Sequence, residues 1–399
     1  MAEGDLLSVR FDDIAPKGDA IATGTDDGKP IFAANVIPGE VALVRIRRHR
    51  RNWTAVDVES IEQPSPHRVE PRCPLFETCS GCQLQHVDYP HQLVLKQRMV
   101  QSQLQRFGEL DDPPVAPTLG AADPWAYRNH ARFTVKDGRL GFIRHFKRQW
   151  FEVPHCFIMD DRINGVVQRL QGEVEGLTQC NVRVGAEADQ LMIQPSLAKA
   201  APQLEGELPS GQPWLYETLH GHRFRVSAAS FFQVNRAQAQ VLIDVVRERI
   251  GGGPEALVVD AYAGVGTFAV LLAPHVGRVI AIEESGPAVE DARENIAGLA
   301  NVELRLGKSE ALLAAIDEPV DAVILDPPRV GCRPEALDAV AHLRPRRLIY
   351  VSCDAASLGR DLQVLCDAAH GFRLLEVQPV DMFPHTHHVE CVATLERLD

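Results

Sequence analysis

The sequence predicts a multi-domain chain: a small amino-terminal β-barrel, a central β-rich domain, and a carboxy-terminal α/β domain of the doubly wound type. Three observations predict it. Residues 1–62 read as short runs of strand formers broken by glycine and proline, as in "GDAIATGTDDGKPIFAANVIPGEVALVRIRRH". Residues 125–226 alternate short strands and turns. From about residue 236 a helical pattern passes into strand–turn–helix units that continue to the end. At 399 residues the chain is also too long for one ordinary core.

In the first segment "TDDGK" is a hairpin signal and "IPGE" a turn. "VRIRRHRRNW", residues 44–53, gathers five arginines and a histidine in a chain whose net charge is −13. Such acidity argues against non-specific coating of nucleic acid, but a local basic patch can still grip a polyanion. The plain alternative is a solvated, basic edge strand. "EQPSPHRVEPRCP" is a proline-rich linker. Residues 89–107 then read as a helix carrying Leu93, Leu95, Met99, Val100 and Leu104. The expected division is 1–62, 63–230 and 231–399, with the helix at 89–107 a candidate to pack on the last part. No stretch approaches the length of a membrane span, and no charged segment followed by an apolar run opens the chain. A cytoplasmic protein without a membrane partner is expected. The oligomeric state is open, with a monomer as the expectation.

"ALVVDAYAGVGTFAVLLA", residues 256–273, is an apolar strand, a glycine turn and a helix. Gly264 and Gly266 let backbone approach a ligand at the head of the strand. "GRVIAIEES" is a second strand ending at Glu283, about 20 residues on, where an acid can hold ribose hydroxyls. The turn lacks the third glycine of a dinucleotide fingerprint, so nothing implies a pyrophosphate. "VDAVILDPPRVGC", residues 320–332, ends a strand in Asp-Pro-Pro and leaves the Asp326 carboxylate at its carboxyl end. In "RLIYVSCDAASLGRD", residues 347–361, Cys353 ends another strand, at the face where doubly wound folds bind ligands.

Cys73, Cys79 and Cys82 are spaced C-x5-C-x2-C, and Cys156 in "FEVPHCFI" is a plausible fourth ligand. In a large chain with no secretion signal, nine cysteines point to metal or catalytic use rather than disulfides. Four thiolates suit zinc or an iron–sulfur cluster, and spacing does not separate them.

"SFFQVN" (residues 230–235), "DPPRVGC", "VSCDAASLGRD" and "MFPHTHHVECVATL" together resemble the RNA uracil-5-methyltransferase family. The resemblance covers nearly the whole chain. It implies that the α/β domain is a Rossmann-like class I methyltransferase using S-adenosylmethionine. It also implies that the amino-terminal segment is a TRAM-like, OB-like RNA-binding barrel, and that "CPLFETCSGCQLQH" with Cys156 holds a 4Fe–4S cluster. For the cofactor the match carries Gln233, Tyr262, Glu283 and Asp326; Thr267 stands where many relatives have asparagine. It makes Cys353 the nucleophile and Glu390 the base.

The chemistry explains the last pair. Uracil C5 is a poor nucleophile toward a methyl sulfonium, and thiolate addition at C6 makes C5 nucleophilic. A base must afterwards remove the C5 proton so that the cysteine can leave. Cys332, Cys366 and Cys391 compete for the nucleophile role, but Cys366 and Cys391 are better explained as packing. Phe231 reads equally as a stacking partner for a flipped base or as a core aromatic. The resemblance implies an RNA partner, 23S rRNA first and tRNA second. The rivals are a tRNA m5U enzyme, an RNA cytosine-5 methyltransferase, and a non-catalytic iron–sulfur RNA-binding protein. A cytosine-5 enzyme would place a cysteine after proline, where "DPPR" has arginine.

Overall fold

The structure is a computed structural model that describes residues 2–23, 28–144, 149–204 and 206–398. Residues 25–27 of the expected "TDDGK" hairpin lie outside the described residues.

The first sheet has six strands: β1 (Leu6–Arg10), β2 (Asp13–Ile14), β3 (Ala20–Ala22), β4 (Ile31–Ala33), β5 (Val41–His49) and β6 (Thr54–Gln63). Their order is β1-β5-β6-β4-β3-β2. Alternating residues such as Ala42, Val44 and Ile46 of β5 point into a core with Phe11 and Ile31. The arginine-rich strand β5 lies between β1 and β6, so it is an interior strand rather than an edge. Its outward side chains are partly matched by acids: Arg45 meets Glu59 at 2.7 Å and Arg47 meets Asp57 at 3.3 Å.

Asp88 caps α1 (Tyr89–Gly108) by accepting from the His91 N–H. Its buried Val100 and Leu104 join the core of the last sheet. The helix ends on α8 (Ala355–Leu365), where a Cβ on Gly359 would stand 3.0 Å from the Gly108 nitrogen. Glycine at that crossing lets the two backbones touch.

A five-stranded sheet follows, built from β7 (His130–Lys136), β8 (Arg139–Ile143), β9 (Trp150–Glu152), β10 (Gln179–Val184) and β11 (Leu191–Gln194). It also carries α2 (Asp161–Leu170), a helix in a stretch whose sequence reads as strands and turns alone. The signal was present: Asp160 is an N-cap, and Ile163, Val166, Val167 and Leu170 repeat at helical spacing and are buried. A hairpin, β12 (Trp214–Leu219) and β13 (His222–Ser227), leads into α3 (Arg236–Ile250).

The last sheet has seven strands: β14 (Leu257–Asp260), β15 (Arg278–Glu283), β16 (Val302–Leu306), β17 (Ala322–Leu325), β18 (Arg347–Ser352), β19 (Phe372–Val380) and β20 (Glu390–Arg397). Helices α4 (Thr267–Leu272), α5 (Gly286–Asn295), α6 (Ser309–Ala314), α7 (Pro334–Leu343) and α8 connect the first six. The order is β16-β15-β14-β17-β18-β20-β19, and β20 runs antiparallel to both neighbours. Strands β14 and β17 are buried throughout, as their uninterrupted apolar runs require. The strand order reverses between them, which places a crevice at their carboxyl ends. No helix among the described residues is long and apolar enough to cross a membrane.

Candidate active site

The crevice is a cavity of about 560 Å³. Gln233, Tyr262, Glu283, Asp326, Cys353 and Glu390 all line it. The six residues come from six different strand ends or loops, so only the tertiary fold brings them together.

On one side the glycine turn after β14 uses left-handed Gly264 (φ 55°) and Gly266 (φ 87°). The Gly264 N–H donates to Glu283 Oε2 at 2.8 Å, and the Ser285 N–H donates to Oε1 at 2.7 Å. Two backbone donors thus fix the Glu283 carboxylate at the rim while its remaining lone pairs face the cavity. Gln233 is anchored by its carbonyl, which accepts from Asn129, while its side-chain Oε1 is buried with no partner. Tyr262 is half-buried and donates its hydroxyl toward Cys332 Sγ at 3.7 Å.

Asp260 was not singled out by the sequence. It ends β14 and is fully buried, and the Tyr262 and Ala269 N–H groups approach its carboxylate without a well-formed hydrogen bond. Burial pushes its carboxyl up to about 8, with the neighbouring Asp326 and Glu283 adding to the shift. Its only sequence signal is an acid closing a buried strand directly before a glycine turn. Burial raises Asp326 to about 7.

On the other side β18 and β20 are antiparallel, with Ser352 opposite Cys391. The same register makes Cys353 and Glu390 the next pair outward, at the mouth of the ladder. Glu390 is 4% exposed, and its carboxyl is pushed up to about 8 by burial and then by Asp326, against the charge of Arg329. The Cys353 thiol rises to about 11 through burial and the Glu390 charge, opposed by the Arg329 charge and a hydrogen bond from Arg329. Asp354 caps α8 by accepting from the Ser357 N–H at 2.9 Å, which sets the turn that exposes Cys353.

The competing cysteines are placed elsewhere. Cys391 is fully buried on the other face of β20, and Cys366 caps the end of α8. Cys332 sits beneath Tyr262 with its N–H donating to Asp361 at 2.8 Å. Phe231, at the cavity rim, is 73% exposed, which removes the core-aromatic reading.

Cys73, Cys79, Cys82 and Cys156 are all half-buried and free. They sense one another: the Cys82 thiol is pushed far up by burial, with Cys156, Cys79 and Cys73 adding to the rise. Cys156 rises to about 11 from burial, with Cys79 and Cys73 contributing. Among the described residues no group of three or more His, Cys, Asp or Glu is spaced to hold a single metal ion. A cubane cluster shares its four thiolates among four irons, so its requirement is convergence of four sulfurs on a common space. The four thiols are near enough to act on one another electrostatically, which places them in one region of the molecule.

A mostly parallel sheet of this order with one antiparallel strand inserted, and acids at the ends of β14, β15 and β17, defines an S-adenosylmethionine-dependent methyltransferase fold. A family model described as tRNA (Uracil-5-)-methyltransferase matches residues 217–398. An uncharacterized RNA methyltransferase of Gloeobacter violaceus is 34% identical over 451 aligned residues, covering 100% of this chain and 98% of its own. A Bacillus cereus RNA methyltransferase is 31% identical over 100% of this chain and 98% of its own. The Pyrococcus abyssi tRNA (uracil-54, C5)-methyltransferase, in complex with S-adenosyl-L-homocysteine, has the same fold. Its TM-score is 0.75 at 22% identity, over 98% of this chain and 100% of that one. The chain belongs to the RNA (uracil-5-)-methyltransferase family and is an S-adenosylmethionine-dependent enzyme.

Proposed function

We propose that the enzyme methylates C5 of a uridine in structured RNA through a covalent adduct between Cys353 and C6. The observation that carries this reading is the ladder register that sets Cys353 beside Glu390 at the cavity holding Gln233, Tyr262, Glu283 and Asp326. A core role explains neither residue. The cysteine reaches the cavity, and a buried glutamate at a strand end is costly unless used.

S-adenosylmethionine, when bound, supplies an electrophilic methyl group. Glu283 is set to accept ribose hydroxyls. The partnerless Gln233 amide oxygen and the Asp326 carboxyl suit the cationic end of such a molecule, with Asp260 buried behind them. The target base must leave its stack, since C6 is attacked from its face, and exposed Phe231 offers a surface for the displaced ring. The Cys353 thiolate then adds to C6 and the C5 carbon takes the methyl. Glu390 next accepts the C5 proton, the C–H pair becomes the C5=C6 bond, and the C6–S bond breaks with its electrons returning to sulfur.

Two variants separate these roles. Cys353→Ala is expected to bind S-adenosylmethionine and RNA yet give neither adduct nor product. Glu390→Gln is expected to transfer the methyl and stall, so that methylated RNA–protein adduct survives a denaturing gel. Normal turnover by Cys353→Ala would end the nucleophile assignment, and an inactive, adduct-free Glu390→Gln would move that residue to an earlier step.

For the RNA, large-subunit rRNA is the first reading and tRNA the second. The tRNA reading draws on the description of the matching family model and on the Pyrococcus enzyme, whose full-length fold match means that architecture does not favour rRNA. Nucleoside mapping of rRNA and tRNA from cells with and without the gene decides between them. The four cysteines are read as a 4Fe–4S site that shapes the RNA-facing surface, and the amino-terminal barrel as an RNA grip.

A further inference from the structure

The loop at 381–389, between β19 and β20, delivers Glu390 to the cavity, and its conformation is imposed from outside. His385 is left-handed (φ 67°), a region a histidine enters only when its surroundings hold it there. Its carbonyl accepts two successive backbone donors, from Gln83 at 3.0 Å and Leu84 at 2.9 Å. Both follow directly on Cys82.

Gln83 makes the tie specific. Its Oε1 accepts from the His387 N–H at 3.2 Å and lies 2.9 Å from His387 Nδ1, while its Nε2 donates to the Ser80 carbonyl at 2.8 Å. One backbone donor and one backbone acceptor therefore fix which way the amide points. A Cβ on Gly18 of the barrel would meet Gln83 Cβ at 3.0 Å and His387 Cβ at 3.4 Å, so the pair is also enclosed. From the opposite side the fully buried Lys96 of α1 bonds Asp381 and donates to the carbonyls of Phe383 at 3.0 Å and His388 at 2.9 Å. The His388 ring stands 3.3 Å from Arg329, the arginine beside Cys353, and Glu390 is two residues on.

We propose that Gln83 is a positioning residue for Glu390: it ties the cysteine-bearing segment to the loop that aims the base. This rests on the covalent mechanism proposed above. Without the Gln83 side chain the loop keeps Lys96 and the backbone bonds to the His385 carbonyl but loses its hold on His387, which leaves Glu390 on β20 but lets it drift from the C5 proton. Addition and methyl transfer, which use Cys353 on a different strand, continue.

The test uses Gln83→Met, which keeps length and packing without hydrogen bonds, and Gln83→Glu, which keeps an acceptor for His387. The substrate is rRNA and tRNA from cells lacking the gene. Gln83→Met is expected to lower kcat by about tenfold to a hundredfold, the cost of small misplacement, while S-adenosylmethionine affinity is unchanged. Methylated adduct should accumulate on denaturing gels, as with Glu390→Gln, and Gln83→Glu should restore turnover and clear it. The proposal is overturned if Gln83→Met turns over normally, is slowed without adduct, or loses cofactor affinity in step with kcat. It is equally overturned if Gln83→Glu is as adduct-laden as the methionine variant. Wild-type enzyme with 5-fluorouridine RNA is the control. No trapped complex there would sink the covalent mechanism and this proposal with it, whereas failure confined to Gln83→Met sinks positioning alone.

Discussion

If Glu390 removes the C5 proton, decay of the methylated adduct must follow the ionisation of a buried acid rather than an ordinary one. The folded carboxyl lies at about 8, raised first by burial and then by Asp326. A base works only when ionised, so elimination is slow below that value and reaches a plateau above it. From pH 7 to pH 9 the ionised fraction climbs from about 0.09 to about 0.9, a roughly tenfold gain in rate. The Cys353 thiol, at about 11, would blur a steady-state profile, because addition keeps gaining thiolate throughout that range. In the preformed adduct the sulfur is a thioether and does not titrate. The experiment therefore loads RNA and cofactor at about pH 6.5, where elimination is slow. It then jumps the pH, quenches in detergent, and counts adduct against released methylated RNA. Decay should rise with a single midpoint near 8, and Glu390→Gln should show slow, flat decay. A profile flat across the range, or one already saturated as for a carboxyl near its ordinary 4.5, would refute Glu390 as the base.

Other consequences are independent of that acid. Protein purified without oxygen should be brown and contain iron, and colourless protein with stoichiometric zinc would defeat the cluster reading. Replacing Arg47, Arg48, Arg50 and Arg51 with alanine should weaken RNA binding and flatten its salt dependence. Arg47 and Arg50 already face Asp57 and Glu3, so the slope should change by about two counterions rather than four. An unaltered slope would make the patch an ordinary solvated face. Lys96→Met should cost about 3–5 kcal/mol in urea unfolding, because it strands the buried Asp381 carboxylate. A loss under about 1 kcal/mol would mean that Tyr89, which also bonds Asp381, satisfies the acid alone.

What could be read from the sequence follows what is local. The uninterrupted apolar runs of β14 and β17 announce strands buried on both faces, and the glycine turn and Asp-Pro-Pro mark their ligand-facing ends. The helix at 89–107 was visible from its periodicity and runs Tyr89–Gly108. What depends on long-range register was not visible. Nothing local states that β20 inserts antiparallel between β18 and β19, yet that insertion sets Glu390 opposite Cys353. Only the family resemblance paired them. Helix α2 was missed although Asp160 and the helical spacing of Ile163, Val166, Val167 and Leu170 announce it, because its ten residues were absorbed into a stretch read as short strands and turns. Asp260 was missed because a strand-ending acid looks like a solvated boundary until the surrounding sheet buries it.

Burial of Asp260 also ties the cavity's charges into one scheme. Asp326, Glu283 and Glu390 line the same cavity with Asp260 buried behind them, and the Arg329 charge stands against Glu390 near Cys353. Burial raises all three carboxyls, Asp260 and Glu390 to about 8 and Asp326 to about 7, and the charge of Asp326 adds to the rise of Asp260 and Glu390. A cation entering the crevice relieves that crowding and favours the carboxylate forms, so the cavity selects a positively charged cofactor without any single strong ion pair. Methyl transfer removes the positive charge from sulfur. With that charge gone, Glu390, again beside Asp326 and without a cation to steady it, would be a stronger base than before. In the covalent mechanism proposed above, the acid that waits through addition and transfer would thus gain its basicity when the C5 proton has to leave. The same crowding that makes the empty site costly gives the steps their order.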